Sequence, residues 1–291
     1  MPSRFFILII VSFWLATTAW FVTREVAPRW RSGDAPPYVI ELADEALKNV
    51  TPIRWRLAWN GRDMGQVRTT LRYQEAEGLF ELKAESERLD LANIGALKIS
   101  ARNLRNSLQV NHDGELRGVH TAVEMETPIG VFKVAVTAQV KARRIERSCD
   151  LESPLLGAIS PKLEPVAYRR GSVLNPLHPV NRVNGLKPGQ RWRIPLFDPF
   201  GDALKATVAE LSGVKLSQQA AEPVAQFLYA EVLAEPQYIE WDGAPQPCFV
   251  IDYRAESGDD FTGRTWVRTS DGLVLRQEAR SNEETLVLQR E

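Results

Sequence analysis

The chain has 291 residues, of which 44% are hydrophobic and 25% are charged, and its formal net charge is −1. This hydrophobic share supports a substantial folded core, which excludes an intrinsically disordered protein. No basic run is long enough to follow a phosphate backbone, so we expect no nucleic-acid partner.

An uncharged apolar segment, "FFILIIVSFWLATTAWFVT", occupies residues 5–23. At about 1.5 Å per residue in a helix, it nearly spans a hydrocarbon core of about 30 Å. We therefore expect one transmembrane helix, with residues 1–31 forming a membrane anchor and its short flanks. A cleaved signal peptide is the alternative, because Thr17, Thr18 and Ala19 form a passable small-residue cleavage site. Both interpretations export the remainder of the chain.

Residues 32–50 contain a short linker followed by a helical pattern. Ile40, Ala43, Leu47 and Val50 lie near one face of a helical wheel, which predicts a short amphipathic helix.

Residues 51–153 change to the two-residue period of half-buried strands. In "IRWRLAW" the apolar residues alternate with Arg54 and Arg56, and "NGRDMG" then supplies a turn into the next strand. Further alternating stretches follow, with another turn at Asp113 and Gly114. We expect this region to be a first antiparallel β half.

Residues 154–200 form a proline-rich crossover between two β regions. Proline lacks the N–H that a central strand needs, so this segment is predicted to be mainly extended chain. Within it, "LKPGQ" predicts a turn that leads into "QRWRIPL", an edge strand with Trp192 and Ile194 facing inward.

Alternation resumes in residues 201–291, which we interpret as a second antiparallel β half with a turn at Ser270, Asp271 and Gly272. The predicted fold class is therefore mainly β, with long antiparallel strands in a curved sheet or half-barrel. Two packed β halves are the alternative.

The two cysteines, Cys149 and Cys248, both lie in strand-like surroundings. In an exported protein they could form a disulfide that joins the two β halves. The alternative is two separate buried thiols. Neither cysteine has the spaced partners of a zinc site.

The sequence contains no convincing catalytic or metal-binding pattern. His178 and Asp198 could pair in the crossover, but no Gly-x-Ser-x-Gly elbow supplies a nucleophile, so a hydrolase is the weakest hypothesis. His112 and His120 lack metal-ligand spacing. We expect a non-enzymatic protein without a cofactor or metal.

The segment "GLKPGQRWRIPL" followed by "TWVRTSDGLVLRQE" resembles related bacterial envelope proteins. More loosely, the region from about residue 50 to the end resembles the lipoprotein-carrier (LolA/LolB-like) half-barrel superfamily. The resemblance implies a bacterial envelope location and apolar-ligand handling. We accordingly expect a single-pass protein of the cytoplasmic membrane with a periplasmic domain. The chain lacks both a lipid-attachment cysteine after its apolar segment and a recognisable ligand-binding arginine.

Two functional hypotheses follow from these features. The first is an anchored accessory module that docks on an integral envelope protein, with the crossover residues Asn175, His178, Arg182 and Asp198 as docking candidates. The second is a carrier with a pocket for a lipid or other acyl ligand. Its candidate lining residues are Trp55, Trp59, Trp192 and Trp266, for which ordinary core packing is the favoured explanation.

Overall fold

A computed structural model describes residues 51–94, 97–112, 114–142, 144–155, 157–161, 163–168, 180–195, 227–255, 261–281 and 284–291, together with Thr17 and Ala46. The predicted anchor and amphipathic helix lie outside these ranges, except that Thr17 and Ala46 are helical. Ala46 packs against the main hydrophobic core. Within the described ranges, the helical residues form no segment long and apolar enough to cross a bilayer.

The described strands all belong to one antiparallel sheet. In chain order they are β1 (Ile53–Trp59), β2 (Arg62–Gln74), β3 (Leu79–Ile94), β4 (Leu97–Val110), β5 (Leu116–Thr127), β6 (Gly130–Lys141), β7 (Arg144–Ser153), β8 (Gly157–Ile159), β9 (Val166–Ala167), β10 (Arg191–Pro195), β11 (Phe227–Val232), β12 (Gln237–Trp241), β13 (Ala244–Ala255), β14 (Phe261–Arg268), β15 (Val274–Ser281) and β16 (Glu284–Arg290). The mainly β fold class is thus confirmed.

The sheet order is β10-β11-β13-β14-β15-β16-β1-β2-β3-β4-β5-β6-β7-β8, with β12 beside β13 and β9 beside β7. The first strand pairs with the last, so that Trp55 lies opposite Arg290 and Leu57 lies opposite Leu288. This pairing joins the two predicted β halves into one curved sheet, and the end strands β8 and β10 do not pair with each other in the described part of the chain.

Short turns connect several neighbouring strands. Asn60 and Gly61 between β1 and β2, and Asp242 and Gly243 between β12 and β13, all have positive φ. Two successive residues with positive φ are typical of the tight hairpin turns whose twist matches that of the strands. The turn predicted at Asn60 is confirmed, whereas the sequence analysis did not identify the turn at Asp242.

Alternation of side chains places most apolar residues on one face of the sheet. Their largest fully buried members, Trp55, Phe80, Leu116 and Ile251, come from both ends of the chain and belong to the main cluster. We call this face the interior face. On the opposite face, a smaller cluster of Cys248, Val250, Trp266, Leu273 and Leu275 covers β13 to β15.

The described part of the crossover packs onto the sheet. Val180, Val183 and Leu186 are buried in the main cluster. Backbone hydrogen bonds run from Val183 N to Gly272 O and from Val274 N to Asn181 O. The predicted edge strand is confirmed as β10, with Trp192 and Ile194 buried.

Candidate functional site

A cavity of about 640 Å³ lies at the interior face, where the first strands meet the end of β16. Its volume falls within the range of about 300–1,000 Å³ that is common for small-molecule sites. Its walls come from the start of β1, the neighbouring parts of β2 to β4, the crossover and the C-terminus. The lining residues are Thr51, Pro52, Ile53, Arg54, Arg68, Thr69, Thr70, Leu71, Leu82, Lys83, Ala84, Asn106, Val180, Asn181, Arg290 and Glu291.

The apolar wall of the cavity follows from strand periodicity and register. Leu71 on β2 lies opposite Leu82 on β3, and both pack against the main core. Ala84, two residues beyond Leu82, therefore points to the same side of the sheet. Because alanine is small, it leaves space at this point of the wall.

Arg290 brings a cation to the interior face. In β16 it is in phase with the apolar residues Leu286 and Leu288, because side chains two residues apart share a face. Its guanidinium carbon lies 5.8 Å from the centre of the Trp55 ring, and its Nη1 donates a 2.7 Å hydrogen bond to Asn181 Oδ1. Asn181 is buried, so strand, ring and crossover together fix the position of the guanidinium.

Two hydrogen bonds between side chains orient polar groups near the same cavity. Trp55 Nε1 donates to Thr69 Oγ1 over 2.9 Å, and Thr121 Oγ1 donates to Asn106 Oδ1 over 3.0 Å. The amide NH₂ of Asn106 is a hydrogen-bond donor at the cavity wall. The cavity thus combines an apolar wall with a cation and an amide donor.

The other charged lining residues alternate with the interior side chains. Arg54 and Arg68 are exposed, and Lys83 Nζ lies 3.3 Å from Glu81 Oε2. The Glu291 side chain accepts hydrogen bonds from Arg56 and Gln66. Among the described lining residues, Arg290 is therefore the cation whose side chain lies on the interior face of the sheet.

The four tryptophans proposed as pocket residues occupy three different environments. Trp55 and Trp192 are buried in the main cluster, and Trp266 is buried in the smaller cluster on the opposite face. Trp59 is 37% exposed. None of them is among the described residues that line the cavity, although Trp55 lies beneath Arg290. The structure therefore does not bring these four residues into one pocket.

Of the proposed docking residues, the structure describes Arg182. It is exposed and forms an antiparallel bridge to Leu273 at the turn between β14 and β15. Asn175, His178 and Asp198 lie outside the described residues, so the docking group and the weak hydrolase hypothesis both stay predictions.

The disulfide alternative is not realised in this structure. Cys149 and Cys248 are both buried and free, and they belong to different hydrophobic clusters. Burial raises the pKa of the Cys248 thiol to about 11, against a smaller opposing effect of the nearby Arg268 charge. Both cysteines are thus separate buried thiols here.

Among the residues that the structure describes, no group of three or more His, Cys, Asp or Glu side chains is arranged to hold a metal ion. A second, more polar groove of about 410 Å³ crosses the opposite face of β3 to β6. There His120 Nδ1 lies 3.1 Å from Thr137 Oγ1, and Ser107 Oγ donates to Glu81.

Arg290 and Asn181 were missed by the sequence analysis. The sequence did contain a signal for Arg290. It follows Leu286 and Leu288 at two-residue spacing, which places an arginine on the apolar face of the last strand. Nothing in the sequence singled out Asn181, because its role depends on a contact between the crossover and β16.

Comparisons with known proteins do not assign the chain to a family. No family model matches it, and no curated protein matches it. Among solved structures, it is similar to a β-barrel-like protein of the domain of unknown function DUF1849 from Brucella abortus. The two share 9% sequence identity with a TM-score of 0.37, over 84% of this chain and 97% of that chain. At this score the likeness carries no argument, and membership of the lipoprotein-carrier superfamily is not established.

Proposed function

We propose that this protein is a binding module that takes up a small ligand in the interior cavity. The observation that carries this proposal is the cavity itself, about 640 Å³ bounded by β1 to β4, the crossover and the end of β16. Its lining combines six apolar residues with ten polar or charged ones, and a concave site with apolar contacts and fixed polar groups is typical of small-molecule sites. The proposed function agrees with the hypothesis of a ligand pocket rather than with docking alone.

On the rest of the interior face, core side chains fill the space, so the ligand site is confined to one region of that face. Phe80, Val110, Leu116 and Val136 are at most 1% exposed, and they fill the space beside β3 to β6. Side chains of the main cluster thus close much of the concave face themselves. A ligand would therefore occupy the region around Leu71, Leu82 and Ala84.

The proposed binding module would be tethered by the predicted membrane anchor. Thr51 and Pro52, which line the cavity, follow the segment at residues 24–50 that leads from the apolar segment. The module would be held at the extracytoplasmic side of the cytoplasmic membrane. Alkaline carbonate extraction of cells that express the full chain tests this: retention in the membrane pellet is expected, and release into the soluble fraction would contradict it.

Docking on an integral envelope protein is the second candidate function. Arg182 is the exposed docking candidate in the described part of the crossover, while Val180, Val183 and Leu186 on the same segment are buried. Docking would therefore involve exposed positions of the crossover without displacing its buried ones. Crosslinking in intact membranes that captures one specific integral protein through this segment would support it.

The cavity proposal is tested by filling the cavity. Membranes that carry the full chain are incubated with a set of photoreactive amphipathic probes, and the labelled peptides are identified by mass spectrometry. We expect labelling of peptides that contain Leu71, Leu82 and Ala84. The variant Ala84→Phe should lose this labelling, because a phenyl ring would occupy the space beside Leu82.

Ala122→Phe provides the matched control. Ala122 is a half-buried alanine of β5 that lies opposite Arg105 on β4, and Arg105 lies opposite Glu85 on β3. Glu85 is one residue after the interior-facing Ala84, so these three side chains face away from the interior. This variant should be labelled like the unchanged protein. Absence of cavity labelling by every probe in the unchanged protein would refute the proposed function.

A further inference from the structure

A group of exposed apolar side chains lies at one end of the sheet. Ile129 and Val131, at the turn from β5 to β6, are 61% and 43% exposed, and Leu155 after β7 is 71% exposed. Pro128 and Pro154 beside them are also exposed. We call these five residues the apolar tip. Turns usually carry small polar residues, so large aliphatic side chains in two neighbouring turns indicate a contact with an apolar partner.

The two turns form one surface because they touch. β6 pairs with β7, with Lys133 opposite Glu152, so the turns at the ends of these strands are neighbours. A Cβ atom added to Gly130 would lie 2.6 Å from Pro154 Cγ, which shows that the Pro154 ring packs on the backbone of the first turn. The apolar tip is therefore contiguous.

Hydrogen bonds within each turn satisfy part of its backbone. Thr127 Oγ1 donates to Gly130 O over 2.9 Å, and Leu155 N donates to Ser153 Oγ over 3.2 Å. Backbone groups that are already paired cost less to remove from water than groups without a partner. These bonds lower the cost of moving the apolar tip into an apolar medium.

Charged side chains lie just behind the apolar tip, and they are paired. Lys133 Nζ lies 2.9 Å from Glu152 Oε2, and Arg102 Nη1 lies 2.7 Å from Glu126 Oε1. Glu126 is opposite Val131 in the pairing of β5 with β6. An apolar end followed by polar side chains suits the boundary between the acyl chains and the head groups of a bilayer. Because these charges form pairs of opposite sign, the contact does not depend on an anionic lipid.

The size and composition of the apolar tip favour a lipid bilayer over a protein partner. A stable protein interface buries about 800 Å² on each partner and is anchored mainly by Trp, Tyr or Arg side chains. The apolar tip consists of three large aliphatic residues and two prolines, without an aromatic ring or an arginine. Aliphatic side chains that project from turns can enter a bilayer without a complementary surface.

The chain before the sheet is long enough to bring the apolar tip to the membrane of the predicted anchor. Ala46 packs against the main core, so residues 24–45 connect the core to the predicted transmembrane segment. A segment of this length spans about 75 Å at most when fully extended. Strand pairing places Ile53 level with Thr121 on β5. The apolar tip begins about six residues further along β5, which corresponds to about 20 Å.

We propose that the apolar tip inserts into the bilayer that holds the predicted anchor, so that the domain contacts the membrane at two places. The second contact is intramolecular, because the anchor already holds the domain at the surface, and a weak affinity of the apolar tip for lipid is therefore sufficient. This proposal depends on the predicted anchor and not on the ligand cavity.

The test uses the full chain in phosphatidylcholine vesicles that contain a phosphatidylcholine with a diazirine in its acyl chain. After irradiation, labelled peptides are identified by mass spectrometry, and their labelling is normalised to that of the peptide with the predicted anchor. We expect labelling of the peptides that contain Ile129 and Leu155. The peptide with Tyr238, which is 71% exposed like Leu155 but lies on β12, should stay unlabelled.

The decisive variant is Ile129→Asp combined with Leu155→Asp. It should lower labelling of both tip peptides about ten-fold or more, because a carboxylate is poorly accepted among acyl chains, and it should leave labelling of the anchor peptide unchanged. Ile129→Leu combined with Leu155→Ile is the matched control and should be labelled like the unchanged protein. Both positions are exposed, so circular dichroism should show the same strand content in all three proteins.

Several results would overturn the proposal. These are a labelled anchor with an unlabelled apolar tip, tip labelling that survives the double aspartate variant, equal labelling of the Tyr238 peptide, and an unlabelled anchor. Tip labelling that falls strongly at high salt would also contradict insertion, because it would indicate attraction between charges. Chemical crosslinks between the tip peptides of two copies, in place of lipid labelling, would identify a self-association surface instead.

Discussion

The pairing of Trp55 with the end of the chain gives the sharpest test of how the sheet is held together. Trp55 is fully buried, donates a hydrogen bond to Thr69 and lies opposite Arg290 in the pairing of β1 with β16. Trp59 is four residues later on the same strand and is 37% exposed. Replacing each tryptophan by alanine therefore compares a buried and a half-exposed position on one strand.

The expected cost at Trp55 follows from its burial. A tryptophan side chain buries about 150–250 Å² of surface, which at about 25 cal/mol per Å² corresponds to roughly 4–6 kcal/mol as an upper estimate. The lost hydrogen bond to Thr69 adds about 1 kcal/mol. Measured replacements of buried tryptophan by alanine cost about 3–5 kcal/mol, so we expect Trp55→Ala to fall in that range. For Trp59→Ala we expect about 1 kcal/mol or less.

Urea unfolding of the full chain in a mild detergent, followed by far-ultraviolet circular dichroism, measures both variants. This signal reports strand content, so it does not depend on the fluorescence of the tryptophan that is removed. A total stability of about 5–15 kcal/mol makes a loss of this size visible as a large shift of the midpoint. Equal losses for Trp55→Ala and Trp59→Ala would refute the burial difference and, with it, the interior position assigned to Trp55.

Two further predictions concern titratable groups. A hydrogen bond from Arg268 holds the pKa of the Asp271 carboxyl below its ordinary value. Its stabilising contribution is thus present above the ordinary pKa of about 4 and is lost as pH falls through the lower folded value. The difference in unfolding free energy between the unchanged protein and Asp271→Asn should be largest at neutral pH and should shrink in acid; a constant difference would contradict this. For Cys149 and Cys248, we expect slow alkylation in the folded protein and full alkylation after unfolding without reductant, since both thiols are buried and free. Mass mapping of a linked peptide pair would show a disulfide instead.

Local features of the sequence determined the strands and several turns. The alternation in "IRWRLAW" depends only on residues two apart along the chain, so it predicted β1 and its buried side correctly. Asn60 and Gly61 tolerate positive φ, which is a local requirement of a tight hairpin. Trp192 and Ile194 were likewise placed inward from the pattern of one short strand.

The tertiary structure decided which strands meet across the length of the chain. Periodicity assigns a face to each residue but does not choose a distant partner strand. The sequence predicted a curved antiparallel sheet, but it did not predict that β1 pairs with β16 and so joins the two halves. The same limit explains why Trp55 and Trp266, both on apolar faces of their strands, belong to clusters on opposite sides. The cavity depends on this long-range pairing as well, because it brings Arg290 beside Trp55 and Asn181, residues that no local pattern connects.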